Sequence, residues 1–347
     1  MEVNTDLGLT AEINYFTLPE ESYSALVRRI TIKNTSKKNY DIELIDGLPM
    51  VVPYGLTDPL IKNISRTVEA WVKVKNLKAK VPYYQLNVEV SDKPEVTYIK
   101  EGNFFFSFDP EAKEKGLLNP IVEAACIFGA AHDFLTPTQF REKDFKLPKQ
   151  QQTSNRTPSA MSYARYKLKP KTEKQIISLF GYAHDEAQLK EIVLQVRKKG
   201  FIQKKADKNK DIVDGIKNFA LTKSSSSEFD LYSSNTFLDN VMRGGLPISL
   251  KTGDGHVVFN VYSRKHGDLE RDYNYFVVSP TFYSQGNGNY RDVNQNRRND
   301  VWFNPHVKSG HLVNFLNLSP ADGYNPLVVK GATFSIHDNN KFNRILC

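Results

Sequence analysis

The sequence has only two cysteines, Cys126 and Cys347, 221 residues apart. That excludes a disulfide framework and suits a reducing compartment, so a cytoplasmic protein is expected. No run approaches the roughly 18 uninterrupted apolar residues that a membrane-spanning helix needs, so no membrane partner is expected. Residues 1–14 lack the basic flank and apolar run of a signal peptide. No Gly-Lys-Ser/Thr phosphate loop, no Gly-x-Ser-x-Gly elbow and no His-Glu-x-x-His pair occurs. His256 and His266 are ten apart and His306 and His311 five apart, so no metal site is expected. There is no repeat of fixed period either.

What is present is ordinary for a globular chain: 347 residues, 40% hydrophobic, 25% charged, net charge +8. This length suggests about two domains. Much of the positive excess sits in Lys198, Lys199, Lys204, Lys205, Lys208 and Lys210. Nucleic-acid binders interleave such charge with aromatics, and only Phe201 stands nearby, so a solvated linker face is expected and no nucleic-acid partner. Aromatic content is 12%, from 17 Tyr, 21 Phe and 2 Trp. It fits a carbohydrate enzyme, and equally the core of a β-sandwich.

The first half reads as strands. Residues 25–34 (ALVRRITIKN) alternate near period two, and Asn34-Thr35-Ser36 closes the run as a turn. Further strands are expected at 9–17, 40–45, 70–74, 83–90, 95–99, 104–108, 121–126, 161–168 and 175–183, with a polar exposed loop at 141–157. Successive strands without intervening helices argue for an antiparallel sandwich. At Asp185 the period changes: Leu189, Ile192, Val193 and Val196 share one helical face, Asp185 and Gln188 suit a capped start, and Gly200 a stop. Helices are also expected at 211–221 and 237–243, flanking a serine-rich connector. Cys126 reads as a small buried hydrophobe.

The last hundred residues are dense in Arg, Asp, Asn, His, Tyr and Gly. Such groups are costly to bury unless they bind each other or a polar ligand. Two runs concentrate them: 263–274 (SRKHGDLERDYN) and 286–300 (GNGNYRDVNQNRRND). Sugar hydroxyls donate and accept at once, so a pyranose site wants neighbouring carboxylates and guanidinium groups. Aromatic faces such as Tyr290 and Trp302 suit the C–H side of a sugar ring. The same Arg/Asp pairs also form salt-bridge networks that only order loops, and both readings stand open at this level.

Tyr290-Arg291-Asp292-Val293-Asn294-Gln295 resembles the Tyr-Arg-Asp-x-Asn-Gln segment of glycoside hydrolase family 94. These are inverting phosphorylases of cellobiose, chitobiose and β-1,2-glucooligosaccharides. The 264–273 run and the 237–245 entry look similar too, and Asn296-Arg297-Arg298-Asn299-Asp300 points to the 1,2-β-oligoglucan phosphorylase and cyclic β-1,2-glucan synthase branch. The resemblance covers about 230–331. It implies a β + α multidomain chain: an antiparallel β-sandwich (super-sandwich) over 1–183, a helical linker over 184–229, and the start of an (α/α)6 barrel over 230–347. Arg291 and Asp292 are then expected to bind hydroxyls of the glucosyl unit in subsite −1. Arg271 and Asp272 are further candidates, and Asn294, Gln295 and Tyr290 complete the substrate-binding set.

The family's general acid lies in a Trp-Asn-Asp-type segment that is absent here, so no catalytic residue is assigned. Twelve barrel helices need on the order of 300 residues, and Phe237 to Cys347 gives 111. The expectation is therefore a fragment whose general acid lies beyond Cys347, with glycosyltransferase activity belonging to the full-length protein. The implied partners are a β-glucan oligosaccharide and inorganic phosphate as co-substrate, without a cofactor, in a homodimer. Two rival readings remain: an inverting hydrolase, and a non-catalytic carbohydrate-binding module. The hydrolase needs carboxylates about 6.5–9.5 Å apart from among Asp268, Glu270, Asp272 and Asp292.

Overall fold

The computed structural model describes residues 2–112, 116–131, 133–143, 145–252, 255–261, 288–298 and 300–329. It divides into two compact units, 1–210 and 211–347. The run at 263–274, with Arg271 and Asp272, lies outside the described residues, as does the start of the run at 286–300.

The first unit contains strands β1 (Glu2–Asn4), β2 (Leu9–Thr17), β3 (Ala25–Asn34), β4 (Tyr40–Leu48), β5 (Val72–Lys75), β6 (Tyr83–Leu86), β7 (Gly102–Phe108), β8 (Asn119–Ile121), β9 (Ala160–Leu168) and β10 (Glu173–Ala183). Its helices are α1 (Asp58–Ile64), α2 (Ala125–Phe128), α3 (Glu186–Val196) and α4 (Phe201–Lys217), the last running past the boundary of the unit. Seven strands form one sheet in the order β1-β2-β3-β10-β7-β6-β5, and β4-β9-β8 form a second. Every ladder is antiparallel, with Phe16 opposite Val27, Val27 opposite Leu179, and Leu179 opposite Phe106.

Alternation along these strands gives the large sheet two different faces. On one face Val27, Phe104, Phe106, Phe108, Ile177 and Leu179 pack against Leu189, Ile192, Val193 and Val196 of α3 and Ile202 of α4. The helical period expected at 189–196 is thus the buried stripe of α3. Enclosing each of these side chains is worth roughly 1.5–3 kcal/mol. α3 starts where expected: the Gln188 amide donates to Asp185 Oδ1 at 2.8 Å, and the His184 amide donates to Gln188 Oε1 at 2.8 Å. Gly200, at φ +80°, turns the chain into α4.

On the other face Phe105 and Tyr84 meet Val122 and Ala160 from the side of the second sheet. A polar link also joins the sheets. Arg28 Nη1 pairs with Asp46 Oδ1 at 2.7 Å, and Ser178 donates to Asp46 Oδ2 at 2.7 Å. Gly47, at φ +139°, passes so close to Ala160 that a Cβ would strike its carbonyl. The outer face of the second sheet carries Ile45, Met161 and Tyr163, covered by Ile127, Phe128, Phe134, Phe140, Phe145 and Leu147.

Residues 141–157 do form a loop, exposed at most positions and with none of its described residues buried, but Phe145 and Leu147 turn inward and are half-buried in that cover. Phe145 lies 5.7 Å from the Tyr163 ring, and Gln151 bonds both the Val122 amide and the Pro120 carbonyl. Of the strand expected at 121–126, only Ile121 lies in β8; the chain leaves the sheet there and Ala125 opens α2, which places Cys126 in a helix, half-buried. Residues 95–99 hold only an isolated bridge, Val88 with Tyr98. The basic cluster is not uniformly solvated either. Lys205 is buried, donating to the Pro19 carbonyl at 2.7 Å and pairing with Glu21 at 2.6 Å.

The second unit contains α5 (Ser227–Gly244), β11 (Leu246–Thr252), β12 (Gly255–Val261), β13 (Gly288–Asn289), α6 (Tyr290–Arg297), α7 (Asp300–Phe303), α8 (Gly310–Asn317) and β14 (Val328–Val329). α5 begins ten residues before the expected 237, because Ser226 Oγ accepts from the Phe229 amide at 3.2 Å and caps it. The serine-rich connector therefore ends as a helix cap. β11 and β12 form an antiparallel hairpin that the helical expectation for 230–347 does not include.

Candidate functional site

The 286–300 run centres on α6. Asn289 Oδ1 accepts from the Arg291 amide at 3.0 Å and closes the first turn. At 3.6 residues per turn, positions 290, 293 and 297 share one face, and positions 291, 295 and 298 the opposite one. Burial follows that geometry: Tyr290, Val293 and Arg297 are enclosed, whereas Arg291, Gln295 and Arg298 are exposed. Asn294 is half-buried. Asp292 belongs to α6, and its side chain lies outside the described residues.

The enclosed face anchors the helix. Tyr290 donates its hydroxyl to the Phe315 carbonyl at 3.1 Å, and its ring meets Phe315 edge-on at 5.4 Å. The Tyr290 amide donates to the Leu327 carbonyl at 3.2 Å. Two turns onward, Arg297 Nη1 donates to the Gly245 carbonyl at 3.0 Å and to Asp300 Oδ2 at 2.9 Å. The same Asp300 oxygen lies 2.8 Å from His311 Nε2. With that nitrogen protonated, one carboxylate oxygen accepts from both a guanidinium and an imidazole, which ties α6, α7 and α8 together.

Two clefts flank this network. One, of about 310 Å³, is walled by Phe237 and Phe303 and presents Asn240, Gln295, Arg298 and Asp300. The other, of about 390 Å³, presents Asn294, Arg297, Lys308 and His311 over an apolar wall that includes Phe315 and Leu316. A carboxylate, amides and a guanidinium beside aromatic walls are groups that suit hydroxyl-bearing ligands. Among the described residues no cluster of three or more His, Cys, Asp or Glu side chains could hold a metal ion.

Of the seven expected site residues, α6 brings Tyr290, Arg291, Asp292, Asn294 and Gln295 into one helix and divides them between its faces. Arg271 and Asp272 lie outside the described residues, as do Asp268, Glu270 and the Asp292 carboxylate, so no carboxylate spacing is defined. Sequence reasoning missed the joining of Arg297, Asp300 and His311. The i,i+3 spacing of Arg297 and Asp300 hinted at one contact, but His311 arrives through the fold.

No protein-family model and no curated protein matches the chain. Among solved structures it is similar to a heparinase III at 6% identity and a TM-score of 0.21, over 53% of this chain and 21% of that one. It is also similar to a protein described as a kojibiose phosphorylase from the human microbiome, at 11% identity and a TM-score of 0.21, over 70% and 24%. The chain thus spans about a fifth to a quarter of those structures. Similarity at that level assigns it neither an activity nor a substrate.

Proposed function

We propose that this chain carries part of the −1 sugar-binding site of an inverting glycoside phosphorylase acting on β-glucan oligosaccharides. The observation that carries the reading is the division of α6 into an anchored face and an open polar face. Tyr290, Val293 and Arg297 hold the helix, while Arg291 and Gln295 project from it. In this reading Arg291 and Asp292 bind glucosyl hydroxyls, with Asn294, Gln295, Arg271 and Asp272 around them, and Tyr290 serves the site from the enclosed face by holding the helix through the Phe315 carbonyl. Inorganic phosphate attacks the anomeric carbon with inversion while an acid protonates the departing sugar oxygen. Phosphate is already a nucleophile, so no water-activating base is needed. The reading brings with it a super-sandwich, an (α/α)6 barrel, a homodimer and a cytoplasmic setting, with no cofactor.

The test is saturation-transfer NMR of β-1,2-linked glucose disaccharide on this chain, beside an assay for phosphate-dependent release of glucose 1-phosphate. Binding that Arg291→Ala abolishes while circular dichroism stays unchanged supports the sugar site. Undiminished binding in that variant removes Arg291 from it. A second reading, a non-catalytic module whose Arg/Asp groups order loops, has its own support: Tyr290, Arg297 and Asp300 all bond inside the unit. It expects substitutions along α6 to change stability without any selective loss of sugar binding.

A further inference from the structure

The basic cluster around the α3–α4 turn separates into two parts. Lys205 and Lys208, on α4, are neutralised by Glu21 and Glu20. Arg197, Lys198 and Lys199, in the turn itself, have no carboxylate within ion-pair distance among the described residues. These three cations line one cleft of about 350 Å³ together with Arg29 from β3. We infer that this cleft is a binding site for a small phosphate monoester, separate from the residues of α6.

The cleft is built rather than a chance meeting of surface lysines. Arg29 is half-buried; its Nη1 donates to Gln203 Oε1 at 2.7 Å, and its guanidinium lies 5.6 Å from the Phe16 ring centroid. Arg197 is also half-buried. Two such planar forks suit the tetrahedral oxygens of a phosphate. The one carboxylate in the lining, Asp109, already accepts from the Glu111 amide at 2.8 Å. Four cations against it leave the rim strongly positive, which concentrates anions there.

The floor is apolar, made by Phe108, Ile177 and Ile202, and gives the body of an ester something to cover. Nothing lies within 4 Å of where a Cβ would stand on Gly200, so a ligand can approach that backbone. The volume fits a small molecule. An extended nucleic acid fits poorly, since the lining lacks a row of exposed aromatics for stacking.

Isothermal titration calorimetry of the whole chain with glucose 1-phosphate, inorganic phosphate and glucose tests the assignment. The ester is expected to bind saturably, more weakly as salt rises, and glucose not to compete with it. The pair Lys198→Glu and Lys199→Glu is expected to weaken binding about ten-fold or more, while Lys190→Glu with Lys204→Glu, an equal charge change outside the cleft, shifts it less than about two-fold. Inorganic phosphate binding as tightly as the ester identifies the free oxyanion as the ligand, and weaker binding assigns a share to the organic body. Arg291→Ala leaves this binding intact, so the outcome is independent of the sugar reading. Absence of saturable binding by either anion, or equal weakening in the control pair, overturns the site.

Discussion

In the first unit the fully enclosed side chains are mainly rings and branched aliphatics, among them Tyr83, Tyr84, Phe104, Phe106 and Leu179. In the second, Arg297, Asn260, Asn304 and Ser234 are enclosed beside Phe259, Val293 and Val307, while Trp302, Leu312 and Leu316 stand open to solvent. The difference concerns what holds each interior. Apolar rings gain from leaving water without needing a particular partner, whereas an enclosed guanidinium must be met by acceptors at the right distance. The first unit should therefore be sensitive to lost volume, and the second to a lost partner.

The largest effect is expected from Phe106→Ala. This fully enclosed ring stacks between Phe104 and Phe108, 5.8 and 6.3 Å away. Its truncation should cost about 3–5 kcal/mol, read by urea denaturation of the first unit; a loss below about 1 kcal/mol would contradict the packing described. Asp300→Ala should come next, at about 3 kcal/mol, since it withdraws the carboxylate from Arg297, whose side chain is 2% exposed. A second unit whose melting is unmoved by that change would show that its polar interior is not what holds it.

Asp46 sharpens the contrast, being an ionisable group between the two sheets of the first unit. Burial pushes its carboxyl above the ordinary value, opposed by Arg28 and by the Ser178 hydrogen bond. A raised folded value means that its contribution is fully present below the ordinary carboxyl pKa and is lost as pH rises through the raised one. Asp46→Asn should therefore be more costly relative to wild type near pH 3 than near pH 7. The opposite trend in paired melts would show that Arg28 outweighs the burial.

Cys126 is pushed up to about 11, first by burial and then by Glu123. In a Cys347→Ser background, its alkylation at pH 8 should run about two orders of magnitude slower than that of an ordinary thiol. Rapid labelling would mean that the helix carrying it opens readily. The smallest effect belongs to Trp302→Ala. With this residue 80% exposed, the change should stay within about 0.5 kcal/mol in thermal melts, and a larger cost would show that something covers the ring.

The elements legible in the sequence were those whose period is local. Residues 9–17 and 25–34 form strands with the bounds their alternation suggests, and α3 carries both its stripe and its cap. Illegible were elements decided by contacts from afar. Phe145 and Leu147 fall within the stretch whose composition reads as a polar loop, yet with Phe140 they cover the outer face of the second sheet. α4 began ten residues early because its first turn packs on the large sheet, a contact that a lysine-rich stretch does not advertise. In the candidate site, helical spacing alone separates Tyr290 and Arg297 from Arg291 and Gln295. Which face is enclosed depended on Phe315, Leu327 and Gly245, and these come from other segments.

By itself, the sequence determined the strand-rich first half, the change to helical period at Asp185, the α3 cap and the residues crowded into α6. Each depends on neighbours two to four positions away, which any chain carries with it. Only the tertiary structure decided that β10 lies between β3 and β7, that Asp46 meets Arg28 and Ser178 between two sheets, and that His311 reaches Asp300. The same holds for the cleft that gathers Arg29 with Arg197, Lys198 and Lys199. Those pairings join residues from 11 to more than 160 positions apart, through the path of the whole chain, and no local pattern records that path.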